Sequence, residues 1–130
     1  MSYHRLSKNN MYSKKVMQYF KKPKNLGPMD DADAVGQVGN LVCGDVMKIY
    51  LKIKDNVITK ATFETFGCVS AIASSSIMTE MIKGKTIEEA LKITKQDVID
   101  ALDGLPAIKI HCSVLATEAL AKAVENYRKK

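Results

Sequence analysis

Three cysteines stand far apart in this chain, each among small or polar residues: Val42-Cys43-Gly44-Asp45, Phe66-Gly67-Cys68-Val69-Ser70 and Ile110-His111-Cys112-Ser113. With Asp45 and His111 they make five candidate ligands, and a tetrahedral metal site takes about four. Thiolate, imidazole and carboxylate donors all suit iron or zinc, but a hard carboxylate oxygen among soft sulfurs holds iron less firmly than four thiolates. A site of this composition suits a carrier that must release what it binds. No two of the cysteines are close in sequence, so only a fold can gather them. Plainer readings stand beside this one. Isolated cysteines are commonly inert small hydrophobes, Asp45 reads equally as a turn residue bonding local backbone, and His111 as a partly buried, hydrogen-bonded histidine.

A Cys–His nucleophile at 111–112 is disfavoured, because side chains adjacent in sequence rarely face each other for proton transfer. No oxyanion hole can be placed either. The glycines at 44 and 67 leave the backbone beside Cys43 and Cys68 uncrowded. Cys68 and Cys112 are expected just before helices at 69–83 and 113–127, where unpaired N–H groups and the helix dipole favour the thiolate.

The elements that must position these residues follow from periodicity. Tyr12, Val16, Tyr19 and Phe20 form one face of a short helix that Pro23 ends. That stripe either packs on the body or acts as a docking element. Residues 22–40, with their Pro, Gly and Asp, read as an irregular connector, with a short strand expected through Val35–Val42. Met47, Ile49, Leu51 and Ile53 alternate with polar partners as a strand. Asp55-Asn56 supplies a turn, and Val57–Phe66 a second strand, forming a hairpin. The small residues Ala71, Ala73 and Ser74-Ser75-Ser76 suit a helix lying close to the sheet. Two short helices follow at 86–93, opened by a Thr86/Glu89 capping box, and at 95–102. A last helix at 113–127 carries Ala116, Leu120, Ala123, Val124 and Tyr127 on one face. The fold class is α+β, a small three-stranded antiparallel sheet covered by about five helices. Residues 1–10 are expected to be a flexible tail and 11–130 a single domain.

Composition sets the limits. The chain has 130 residues and a net charge of +6, enough for one core. No apolar run approaches the ~20 residues that span a membrane, no secretory signal opens the chain, and an odd cysteine count argues against a disulfide framework. A protein of a reducing compartment, the cytoplasm, is expected. Seven basic and no acidic residues lie in 1–24, while 25–127 holds ten basic and fourteen acidic. Basic ends on a mildly acidic body do not make a nucleic-acid groove; solvated tails or docking to an acidic protein surface fit better.

Read together, the motifs resemble the U-type iron–sulfur cluster assembly scaffolds, the IscU proteins and the N-terminal domain of NifU. The stretches that carry the resemblance are Val38-Gly39-Asn40 leading to Cys43-Gly44-Asp45-Val46-Met47, Thr65 through Ser76 around Cys68, Leu105 through Ser113, and Tyr12-Ser13 through Gly27. The resemblance implies that a pyridoxal-phosphate cysteine desulfurase passes persulfide sulfur to the chain. Iron and electrons arrive separately, so an electron donor is implied, and a [2Fe–2S] cluster forms before delivery to apo iron–sulfur proteins or carriers. By the same resemblance Cys43, Cys68 and Cys112 are cluster ligands, and Asp45 and His111 compete for or exchange at the fourth place. Cys112 accepts the persulfide sulfur, Lys109 pairs with Asp45 when no cluster is bound, and zinc can occupy the same ligands. The chain acts as a scaffold rather than an enzyme, as a monomer or as a homodimer on cluster binding. The basic first helix helps to dock the desulfurase.

Three departures from the family pattern matter. The chaperone-recognition stretch here reads Leu105-Pro106-Ala107-Ile108-Lys109; losing a second proline loosens a rigid epitope and argues against dependence on an Hsp70-type chaperone. Val69 adds bulk where the family commonly has Gly, and a stand-alone scaffold without NifU's further cysteine-bearing domains is expected. The rival within the resemblance is a SufU-type zinc sulfurtransferase. This chain lacks the insertion such proteins carry between the second and third cysteines and keeps His111. An interaction module with inert cysteines is the rival from another class.

Overall fold

In the computed structural model the described residues are 12–40, 45–66, 69–105 and 110–129, without the side chains of Asn40, Asp45, His111 and Cys112. The expected flexible tail at 1–10 lies outside them. The elements in chain order are α1 (Lys14–Lys21), β1 (Ala34–Asn40), β2 (Asp45–Lys54), β3 (Val57–Phe66), α2 (Val69–Ile82), α3 (Ile87–Leu91), α4 (Lys95–Ala101) and α5 (Ile110–Arg128).

The three strands form one antiparallel sheet in the order β1-β2-β3. Asp55 and Asn56 both take positive φ, 54° and 67°, the pairing a two-residue type I′ hairpin demands. On the inner face Met47, Ile49, Leu51 and Phe63 are fully buried. On the outer face Tyr50 is buried too, donating its hydroxyl to the Glu64 carboxylate. Burial first, and then that carboxylate, push its pKa up to about 12.

α2 is the centre of the molecule. Ser70, Ala71, Ala73, Ser74, Ser75 and Ser76 are all fully buried, so the helix is covered on every side rather than amphipathic. Small side chains make this possible: Ser75 turns its hydroxyl back to Ala71 O at 2.8 Å and lies 2.9 Å from Met47 Sδ. α1 packs on α2 through Val16, which is fully buried, with Tyr12 and Tyr19 partly so. Of its apolar stripe Val16, Tyr12 and Tyr19 pack on the body, while Phe20 is exposed together with Lys14, Lys15 and Lys21.

The connector is more ordered than its composition suggests. Asn25, at φ 64°, donates through Nδ2 to Thr79 Oγ1 at 3.0 Å and to Glu80 Oε2 at 2.8 Å, while its Oδ1 accepts from Lys83 Nζ. The Asn25 amide beside Glu80 holds that carboxyl below its usual value. From Ala34 the chain is already strand, one residue before the start expected at Val35. The expected extension of β1 to Val42 falls partly outside the described residues.

α3 and α4 each open on a complete capping box, Thr86/Glu89 and Thr94/Asp97. α5 lies against β1 through Ala119 and Ala123: a Cβ on Gly36 would sit 2.3 Å from Ala123 N and 2.4 Å from Ala119 O. Only glycine admits the helix this close. Among the described residues no helix is long and apolar enough to cross a membrane.

Candidate functional site

Strand register brings three strand ends to one end of the sheet. Asn40 pairs with Asp45, closing the four-residue segment 41–44 that contains Cys43, and Val46 pairs with Phe66, setting the end of β3 beside the start of β2. Positions 67 and 68 follow directly, and α2 begins at Val69. α2 then runs back along β3, for just after its far end Gly84 N–H donates to Ile58 O at 2.7 Å.

α5 runs antiparallel to β1. Asn126 Nδ2 donates to Val35 O at 2.7 Å, near the start of the strand, and Gly36 lies under Ala119 and Ala123. From Asn126 back to Ile110 the helix spans about 24 Å, whereas Val35 to Asn40 spans about 17 Å. Even a crossing angle of about 40° leaves about 18 Å of helix along the strand. The first turn of α5 therefore comes level with the Asn40/Asp45 pair. Two helix N-termini and three strand ends share one end of the sheet, and the unpaired N–H groups of each helix start favour negative charge there.

The expected site residues fall on this frame as follows. Asp45 is the first residue of β2, and His111 and Cys112 are the second and third residues of α5; their side chains are not described. Cys43, Cys68 and Lys109 lie outside the described residues, as does most of the Leu105–Lys109 stretch. One expectation is corrected. Cys112 does not precede the last helix but lies within its first turn, because α5 starts at Ile110 rather than 113. Ser113, read from the sequence as the helix start, is instead fully buried and turns its hydroxyl back to Ile110 O at 2.6 Å, as serine does inside a helix. Cys112 still belongs to the turn whose N–H groups lack helical acceptors. Among the described residues no group of three or more His, Cys, Asp or Glu is placed to hold a metal ion.

Two features escaped the sequence reading. Phe66 is 72% exposed and Leu26 55% exposed, and together they wall an apolar groove of about 540 Å³ at this end of the sheet. The signal was strand parity: Phe66 shares its face with Thr62 and Glu64, away from Phe63. The second feature is a pair of fully buried hydroxyls in the first two turns of α2, Ser70 and Ser74, that have no hydrogen-bond partner among the described residues. Nothing in composition reveals an unsatisfied group, because satisfaction depends on neighbours brought by the fold.

A family model described as the NifU-like N-terminal domain matches residues 11–130. The iron–sulfur cluster assembly scaffold protein IscU 1 of Archaeoglobus fulgidus is 59% identical over 120 residues, covering 92% of this chain and 78% of its own. The protein named iron–sulfur cluster assembly scaffold protein IscU in Buchnera aphidicola is 47% identical over 123 residues, covering 92% of this chain and 96% of its own. The crystal structure of a NifU-like N-terminal protein from Brucella abortus superposes with a TM-score of 0.77 over 94% of this chain and 97% of that one, at 22% identity; it shows the fold. Matched along nearly its whole length, the chain belongs to the NifU-like N-terminal domain family.

Proposed function

We infer that this chain is a scaffold on which an iron–sulfur cluster is assembled and from which it is passed to recipient proteins. The observation that carries the reading is the 59% identity, across 92% of the chain, to a protein named for that role. The gathering of three strand ends and two helix N-termini at one end of the sheet supports it. On such a frame ligands far apart in sequence can converge on one cargo.

On this reading the cargo is a [2Fe–2S] cluster held by Cys43, Cys68 and Cys112. Asp45 and His111 exchange at the fourth position, and zinc is taken by the same donors when iron is absent. The Cys112 thiolate attacks the outer sulfur of a desulfurase persulfide; a new S–S bond forms, the old one breaks, and the donor thiolate leaves. The first turn of α5 favours that thiolate electrostatically. Lys109 neutralises Asp45 when no cluster is bound. A cysteine desulfurase, an electron donor and apo-protein recipients are the partners, acting in the cytoplasm. An Hsp70-type chaperone is not required, and the holo form is a monomer or homodimer.

The test is anaerobic reconstitution with ferrous iron, L-cysteine and a cysteine desulfurase, read by visible absorption and Mössbauer spectra. A labile cluster signal that serine at Cys43, Cys68 or Cys112 removes, and that Asp45→Ala makes slower to transfer, is the expected result. A colourless protein that keeps zinc and still accepts sulfur would replace this reading with zinc-dependent sulfur transfer.

A further inference from the structure

The two edges of the sheet are treated differently. On the outer edge of β3, Phe63 N–H donates to Asn25 O and its C=O accepts from Gly27 N–H; Ile58 N–H donates to Lys85 O and its C=O accepts from Gly84 N–H. Among the described residues the outer edge of β1 has a single pin, the Asn126 amide on Val35 O. In an antiparallel strand alternate residues turn both backbone groups the same way, so Gln37 and Gly39 face outward with Val35. Among the described residues no donor or acceptor outside the sheet meets them. β1 also lacks two of the usual protections of an edge, for its sequence AVGQVGN has no charge and no proline, although Gly39 takes φ 93° near its end.

This edge is not bare surface. Beside it the outer side of α5 forms a shallow groove of about 560 Å³ with Gln37, Gly39, Glu118, Ala121, Lys122 and Glu125. A strand edge with a helix alongside is the geometry that takes an added strand from another protein. Charge selects the occupant. Glu125 is engaged by Lys122 and Lys129, whereas Glu118 is exposed and has no ion pair among the described residues. A second copy adding its own β1 about a twofold axis would offer Glu118 no free cation from its α5, because among the described residues Lys122 and Lys129 are engaged by Glu125 and Arg128 by Glu88.

We propose that the free edge of β1 and the Glu118 side of α5 form a strand-adding groove for an extended segment of a partner protein that carries a lysine or arginine facing Glu118. About five residues of such a segment cover Val35–Gly39. β1 leads directly into the segment holding Cys43, so the groove brings its occupant to the end of the sheet where the family motifs converge. The proposal rests on the strand edge and the charge beside it; cluster content does not enter its test, and either reading can fail without the other.

The test uses the full chain and a capped heptapeptide, Thr-Val-Lys-Val-Lys-Val-Thr, with its glutamate counterpart as control, read by amide hydrogen exchange and chemical shifts. The lysine peptide is expected to slow exchange at Gln37 and Gly39 and to leave Gly36 and Val38 unchanged. Gln37→Pro removes only an outward donor and should weaken binding about tenfold. Glu118→Lys, a surface change that leaves the strand untouched, should weaken it and favour the glutamate peptide. Equal binding of both peptides, or no slowing at millimolar peptide, overturns the proposal. So does protection of Gln37 and Gly39 in the protein alone: if independent of concentration, it assigns the edge to another segment of this chain, and if rising with concentration, to a second copy.

Discussion

The β3 edge of the sheet is strapped at two places by the chain's own backbone, while the β1 edge is clamped over its face by α5 and, among the described residues, left open along its rim. The difference shows how a small domain divides its work. On the β3 side, Asn25, Gly27, Gly84 and Lys85 close the ladder and tie it to α2, so that side is committed to holding the fold. On the β1 side the helix supplies the packing, and the backbone rim stays available next to the end where the family motifs lie. A free edge invites unwanted pairing, so keeping one has a cost that a docking role would offset.

The largest expected break in this comparison is Gly36→Ala. Its Cβ meets backbone rather than a yielding side chain, so α5 must lift from β1, and urea denaturation should show a loss of about 3 kcal/mol. Next is Asn25→Ala, which removes the bonds to Thr79, Glu80 and Lys83 and places alanine at φ 64°; a loss of about 2 kcal/mol is expected. Asn25→Gly, which keeps the backbone conformation but not the bonds, apportions the two causes. Exchange at the Phe63 amide should quicken in both variants, marking the strap as opened.

Asn126→Ala removes the single pin on the β1 edge and should cost about 1 kcal/mol. A loss as large as that of Asn25→Ala would mean that the β1 edge is held as firmly as the other. Ser74→Ala should move the opposite way. The hydroxyl is buried without a partner among the described residues, so removing it should stabilise by about 1 kcal/mol in thermal melts; destabilisation would show that the hydroxyl is satisfied in solution.

The smallest effect is the pH dependence of the strap. Glu80 titrates below its usual value of 4.5 in the folded protein. Its contribution is therefore complete above that value and is lost as pH falls through the lower folded pKa. Asn25→Ala should flatten this part of the stability profile. An unchanged acid limb would assign it to other carboxylates, such as Glu88, whose pKa is lowered first by the Asn56 amide.

Much of this was legible in advance. Period-two alternation placed β3 at Val57–Phe66 as found, because a strand with one buried face must keep its register. The capping box at Thr86 marked α3 for a similar reason: Thr and Glu three residues apart satisfy each other's backbone locally. The start of α5 was not legible. Ile110-His111-Cys112 carries neither a strong helix former nor a cap, and serine at 113 looks like a cap until its burial is known. The strap at Asn25 was hidden for a different reason. A segment rich in Pro, Gly and Asp has no period, so its partners, Thr79 and Glu80, belong to a helix more than fifty residues away.

The sequence alone determined the element types, the apolar faces and the five candidate ligands, since periodicity and side-chain chemistry are local properties of the chain. Tertiary structure decided which strand edge is closed and which is open, how near α5 comes to Gly36, and that two helix starts share one end of the sheet. Those outcomes depend on contacts between residues far apart in the chain, and no local pattern encodes a distance.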